Sequence, residues 1–280
     1  MTPRLPILAL IACLAALAAA AAPAAAQLPV LPVVGGDPEP QPEQGGTPPP
    51  EPQPEPQREP ERGDEPSKPV YAAVSNERTR TRWAHAYSRS VVRVRPRRDA
   101  KRVTRLRYDT EDGYPEVYLV LARYRDARGR HWLKVRLPMR PNGRTGWVPR
   151  DALGTLHTVN TFLHVDKKRL RATLYRNGRR IWREPVGIGA RGTETPSGRF
   201  YIRERLRVRS RGSLYGPLAF GTSAYSKLSD WPGGGVVGIH GTNEPELIPG
   251  RPSHGCIRVR NPDIVRLGKL MPIGTPVRIG

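Results

Sequence analysis

The sequence predicts a mostly-β protein with two folded domains: a small barrel over residues 84–153 and a second domain over residues 157–280, also mostly β, with one or two short helices. Three observations lead there. Short alternating runs punctuated by Gly, Asn and Pro recur between Val91 and Val148, as in a small closed sheet. The pair Asn177-Gly178 lies between two β-type runs, the strongest short-range hairpin signal. A clear helical stripe, Ile264, Val265, Leu267 and Leu270, occurs near the end.

Upstream of the barrel, two segments are read as processing and spacing rather than fold. Met1–Arg4 is positively charged, Leu5–Ala22 is apolar, and Ala24-Ala25-Ala26 precedes Gln27. This is the pattern of a secretory signal peptide over residues 1–26, cleaved after Ala26. The alternatives are a retained membrane anchor, since the run approaches the ~18–20 residues of a minimal span, and lipidation at Cys13 in Leu10-Ile11-Ala12-Cys13. Cleavage leaves Cys256 as the one thiol of the mature chain, which excludes an internal disulfide and points to a reactive or intermolecular cysteine. The expected location is outside the cytoplasm, in the cell wall or periplasm or secreted.

Residues 27–69 hold 14 prolines in 43 positions. With few apolar residues after Val34 this segment cannot offset the entropy of ordering. It is expected to be a Pro/Glu-rich disordered linker with polyproline character, able to reach on the order of 100 Å, or equally a tail with no reach function. The chain carries a net charge of +22, of which residues 27–69 contribute −6 and residues 70–280 contribute +27. A body this basic attracts polyanions. Nucleic acid is the usual partner of such a charge, but export makes anionic cell-envelope polymers the better expectation.

In the barrel region, Val91–Pro96 alternates and ends on proline, Tyr114–Leu121 follows Asp112-Gly113, and His131–Leu137 alternates again. Asn142-Gly143 marks a turn before Gly146-Trp147-Val148. Trp132 and Trp147 are expected in the core rather than as a ligand platform. These short tryptophan-bearing strands resemble bacterial SH3-like modules.

The second domain opens with strands at Asn160–Val165, Arg171–Tyr175 and Arg180–Trp182, followed by Pro185–Gly189 and Arg199–Ile202. Asn261 is expected to cap the helix, Pro262 suits its first turn, and Thr275–Ile279 forms a last strand.

Two blocks carry reactive side chains: Gly238-Ile239-His240-Gly241-Thr242-Asn243 and Ser253-His254-Gly255-Cys256-Ile257-Arg258. A thiol is nucleophilic as thiolate, and a nearby imidazole can take its proton. Either histidine could serve. His254 shares a face with Cys256 if that stretch is extended, whereas His240 can be returned to it by the Gly- and Pro-containing loop Glu244–Pro252. Gly241 allows a sharp turn that brings a carbonyl to the His240 ring. Gly255 permits an unusual backbone that could aim its own amide and that of Cys256 at one point. A zinc site of His240, His254 and Cys256 is a further option, although no carboxylate-bearing metal motif accompanies it. His85, His131, His157 and His164 lie in no such block.

The order Gly187-Ile188-Gly189, Thr195-Pro196-Ser197-Gly198-x-Phe200, Tyr215-Gly216-Pro217 before Ala219-Phe220-Gly221, then H-G-T-N and S-H-G-C-I-R, resembles the L,D-transpeptidase catalytic domain over roughly residues 159–280. The resemblance implies a β-sandwich-like fold with Cys256 as nucleophile, His240 as general base and the Gly241 carbonyl orienting the ring. It implies oxyanion support from backbone amides around His254, Gly255 and Cys256, with Ser253 framing the turn. Arg258 either holds the motif or meets a substrate carboxylate, and Tyr215 and Thr242 are expected at the substrate. The implied reaction acylates Cys256 with the third residue of a peptidoglycan stem peptide, releases D-alanine and resolves the thioester with a neighbouring amine to a 3→3 cross-link. Water in place of the amine gives a carboxypeptidase. Carbapenem-type β-lactams are expected to acylate Cys256. No metal or cofactor is implied, and a monomer is expected. The competing class is a catalytically inactive peptidoglycan-binding protein, for which Cys256→Ala leaves cell-wall effects intact.

Overall fold

The computed structural model describes residues 68–210, 212–229 and 232–280. The expected signal peptide, Cys13 and all but the last two residues of the linker lie outside the described residues.

The first sheet holds β1 (Val70–Ala73), β2 (Thr81–His85), β3 (Val91–Arg93), β4 (Arg102–Arg105), β5 (Val117–Arg125), β6 (His131–Arg136), β7 (Thr145–Pro149) and β8 (His157–Val159). Its order is β4-β3-β7-β6-β5-β2-β8, with β1 also paired to β5. The sheet therefore draws on residues outside 84–153: β1 and most of β2 precede that range, and β8, placed by sequence at the opening of the second domain, pairs with β2. The strand expected at 91–96 stops at Arg93, and Val94 is exposed. Trp132 and Trp147 are buried and pack together with Ala122.

The second sheet holds β9 (Thr161–Asp166), β10 (Arg171–Arg176), β11 (Arg179–Pro185), β12 (Gly187–Gly189), β13 (Gly198–Arg207), β14 (Leu218–Tyr225), β15 (Val236–His240), β16 (Gly250–Ser253), β17 (Ile257–Arg258) and β18 (Pro276–Ile279). Its order is β11-β10-β9-β18-β13-β14-β15-β17-β12-β16. Asn177 and Gly178 both adopt positive φ (50° and 78°), as a two-residue hairpin turn requires. Alternation points Leu163, Val165, Leu174, Phe200, Ile202, Ile239 and Ile257 into one apolar core.

The described α-helix, α1 (Asn261–Leu270), closes that core with Ile264 and Leu267. Val265 is exposed and does not belong to the buried stripe. The residue at the N-cap is Arg260, not Asn261, and it makes no side-chain capping bond. Asn261 Oδ1 instead accepts the amide of Thr242 (2.9 Å). Three short 3-10 turns accompany the helix, at Arg150–Ala152, Pro232–Gly235 and Pro245–Leu247. Among the described residues no helix is long and apolar enough to cross a membrane.

The two sheets meet through buried polar groups. Arg203 of β13 is fully buried, and its Nε and Nη2 donate to the two carboxylate oxygens of Glu116, just before β5. Tyr201 donates its hydroxyl to the Val117 carbonyl (2.7 Å). A buried charge pair this well bonded adds little net stability, but losing one partner strands the other.

Candidate active site

The site begins with strand register. β15 and β17 are parallel, with Ile239 opposite Ile257 and His240 opposite Arg258. One step back, Gly238 stands beside Cys256, and its amide donates to Cys256 Sγ (3.4 Å). Side chains two apart on a strand share a face, so His240 lies on the same side as the absent side chain of Gly238. A Cβ built on Gly238 would lie 3.6 Å from His240 Cδ2 and 3.8 Å from Cys256 Sγ. Thiol and imidazole therefore flank one small space over that glycine, with Cδ2 of the ring turned toward it.

His240 is buried, and its Nδ1 lies 2.6 Å from the carbonyl oxygen of Gly241. A carbonyl only accepts, so Nδ1 carries the proton and Nε2 is left as the basic nitrogen. Tyr215 packs edge-on against the ring, with centroids 4.9 Å apart. Burial pulls the His240 pKa down to about 4, against the raising effect of the Gly241 carbonyl, and the Arg258 charge adds to the fall. Burial pushes the Cys256 thiol up, partly offset by the Gly238 amide and Arg258. At neutral pH both groups are uncharged.

Gly241 is required for close approach rather than for a special backbone angle. A Cβ there would stand 2.4 Å from Asn261 Oδ1 and 2.9 Å from Gly216 Cα. Gly216, at φ +61°, meets it from the other side. This contact fixes the chain after His240 and thereby the carbonyl that holds the ring. Thr242, expected at the substrate, is fully buried, and its Oγ1 accepts the Glu244 amide (3.0 Å); it shapes the loop from within.

The cysteine turn is held from three sides. Gly255 adopts φ +124°, which disfavours any other residue. Ser253 Oγ donates to the Cys256 carbonyl (2.6 Å) and accepts the Gly255 amide (3.2 Å). That amide, expected to face an oxyanion, is thus already engaged. Thr195 Oγ1 donates to the Gly255 carbonyl and accepts the Gly189 amide, both at 2.8 Å. This buried hydroxyl was missed as a site residue; its place in the Thr195-Pro196-Ser197-Gly198 block was the available signal. His254 is exposed at the tip of the turn. Arg258 pairs with Glu244 and keeps 12% of its side chain exposed. Its charge reaches both His240 and Cys256. Among the described residues no group of three or more His, Cys, Asp or Glu stands close enough to hold a metal.

The first sheet also reaches this region. Arg140 and Asn142, on the turn between β6 and β7, bond the chain leaving β14. Arg140 Nη2 donates to the carbonyls of Ser226, Leu228 and Gly234. Asn142 bonds both backbone groups of Tyr225. Ser226 in turn packs under Gly255, where a glycine Cβ would lie 3.1 Å from its own Cβ.

This fold sets one thiol and one imidazole on a single face of the second sheet. Residues 160–279 match the model of the YkuD family, the L,D-transpeptidase catalytic domain. The YkuD protein of Bacillus subtilis (strain 168), which carries the L,D-transpeptidase designation, is 37% identical over 107 residues, covering 38% of this chain and 58% of that protein. Its namesake from Bacillus licheniformis is 35% identical over 106 residues, covering 38% and 57%. The chain thus spans little more than half the length of these relatives. The solved catalytic domain of an E. faecium L,D-transpeptidase is 24% identical, covering 43% of this chain and 96% of that one, with a TM-score of 0.33.

Proposed function

We propose that this chain is an exported, cysteine-dependent L,D-transpeptidase acting on peptidoglycan stem peptides. The observation that supports it most is the β15–β17 register, which sets His240 and Cys256 on one face across Gly238. In this reading the pair starts neutral, so proton transfer from Sγ to Nε2 accompanies attack on the carbonyl of the third stem residue. The amides of His254 and Cys256 receive the developing oxyanion, since Ser253 already occupies that of Gly255. The imidazolium then gives its proton to the departing D-alanine amine, leaving a thioester on Cys256. An acceptor amine attacks the thioester, His240 takes its excess proton, and the thiol is restored with a 3→3 link formed. Gly241 holds the imidazole tautomer, the role a carboxylate plays in other triads. Arg258 favours the thiolate by its charge, and Tyr215 walls the ring.

The same proposal takes residues 1–26 as a cleaved signal peptide, residues 27–69 as a spacer, the first sheet as an SH3-like module and the working form as a monomer without cofactor. The test is incubation of the purified chain with a defined tetrapeptide stem and mass analysis of the products. A cross-linked dimer lacking one D-alanine, absent with Cys256→Ala, is expected. Tripeptide alone would assign a carboxypeptidase, and unchanged substrate an inactive binder.

A further inference from the structure

The outer face of the second sheet carries a charge pattern that the catalytic reading does not use. Alternation turns Leu163, Ala172, Trp182 and Val277 inward and their neighbours outward. Strand register then lines the outward residues into rows. One row runs Arg199, Arg278, His164, Thr173 and Arg183, each directly opposite the next across β13, β18, β9, β10 and β11. The neighbouring row runs Phe162, Tyr175 and Arg180. The rings of Phe162 and Tyr175 stack with centroids 6.1 Å apart.

These rows floor a groove. A depression of about 440 Å³ bounded by Arg78, Phe162 and Arg278 adjoins one of about 260 Å³ bounded by Arg171, Arg180 and Arg183, and both share His164 and Tyr175. Asp166 lines the smaller depression together with its partner Arg169, and Glu77 stands beside Arg78; both carboxylates are already bonded. Asp166 accepts from Arg169 and from two backbone amides. Glu77 accepts two bonds from Arg136, with Arg199 only at 4.0 Å. Like charges directly opposite on neighbouring strands destabilise a sheet, and Arg199 faces Arg278 in that way. Local rules of this kind are broken chiefly at functional or strained sites.

We propose that this groove binds an extended anionic glycan, a chain of sugar rings bearing carboxylates. Guanidinium forks match carboxylates two bonds at a time, and the aromatic pair offers an apolar platform for a sugar ring between the two clusters of arginines. Four strand steps separate β9 from β15, about 19 Å at ordinary strand spacing, so the surface is distinct from Cys256 and would hold a polymer without blocking the thiol.

The test uses the full chain and a hyaluronan oligosaccharide as probe, with neutral dextran and duplex DNA beside it. Wild type is expected to bind the carboxylated glycan, more weakly as salt rises, and to ignore dextran. Arg183→Glu/Arg278→Glu should weaken binding about tenfold or more, whereas the equally charged control Arg95→Glu/Arg98→Glu should change it less than about threefold. Tyr175→Ala should weaken the glycan and leave DNA unaffected. Arg278→Gln secures the folded state, because relief of the facing arginines predicts a melting temperature no lower than wild type. Cys256→Ala should bind as wild type, which separates this proposal from the catalytic one. Absence of glycan binding, equal losses in both charge reversals, an unchanged Tyr175→Ala, or DNA bound more tightly with the same dependence on Tyr175 would each overturn it.

Discussion

Arg140 Nη2 lies 2.9 Å from the carbonyl oxygen of Gly234. The donor belongs to the first sheet and the acceptor to the segment leading into β15, the strand that ends on His240. The guanidinium also stacks over the Tyr225 ring at 4.7 Å and bonds Ser226 and Leu228. The first sheet is thereby bonded to the chain that seats Gly255, one residue before the thiol.

Arg140→Ala is therefore expected to reduce turnover. Bonds from a charged donor are worth about 1.5–3 kcal/mol, so kcat on the stem substrate should fall about tenfold or more with little change in KM. Arg140→Lys, which keeps three donors, should recover most of it. Alkylation rates of Cys256 by iodoacetamide report the geometry of the turn directly; equal rates in all three proteins would rule out this positioning role.

The pH profile follows from the neutral pair. His240 is competent as a base only when unprotonated, and burial holds its pKa near about 4. The acid limb of kcat/KM is expected near that value rather than near the ordinary histidine range. The raised Cys256 thiol predicts alkylation that keeps climbing into alkaline solution. An acid limb near 6.5 would contradict the buried, carbonyl-bound imidazole.

Thr195→Val removes one hydroxyl that serves both Gly189 and Gly255. Each buried group left without a partner costs about 1–3 kcal/mol. A lower melting temperature and slower acylation of Cys256 by a carbapenem are expected together, with Thr195→Ser close to wild type. A variant that loses stability yet acylates normally would confine Thr195 to the fold.

Glu204 supplies a stability test. It is buried on β13, accepts a bond from Thr110, and burial pushes its pKa up to about 7 against the pull of Thr110 and Arg203. The folded state then holds a proton that the unfolded chain has released between its ordinary value and about pH 7, so stability from this group falls as pH rises through that window. Glu204→Gln keeps an acceptor for Thr110 without the charge. Its melting temperature should exceed that of wild type at pH 8 and converge with it near pH 4.5; parallel curves would show that Glu204 does not titrate there.

Much of the second sheet was legible because its signals are local. Asn177-Gly178 specifies its own turn, and alternation along β9 and β10 follows from period two. The short strands of the first sheet were less so. β1, β2 and β8 carry too few residues for a pattern, and they are strands because they pair with segments far along the chain. Asn261 looked like a cap by type and place, yet its side chain serves Thr242, a preference that only the packing of Gly216 against Gly241 decides.

By itself the sequence determined the chemistry available: one cysteine in the second domain, two histidines in ordered blocks, glycines where the backbone must bend, and a basic body. Those are properties of residue type and near-neighbour spacing. The tertiary structure decided which histidine shares a face with Cys256, that Thr242 turns inward, that Thr195 and Ser253 tie the turn, and that arginines from four strands line up across one face. Each of these depends on strand register and on groups many residues apart, and register is set by how the whole apolar core closes.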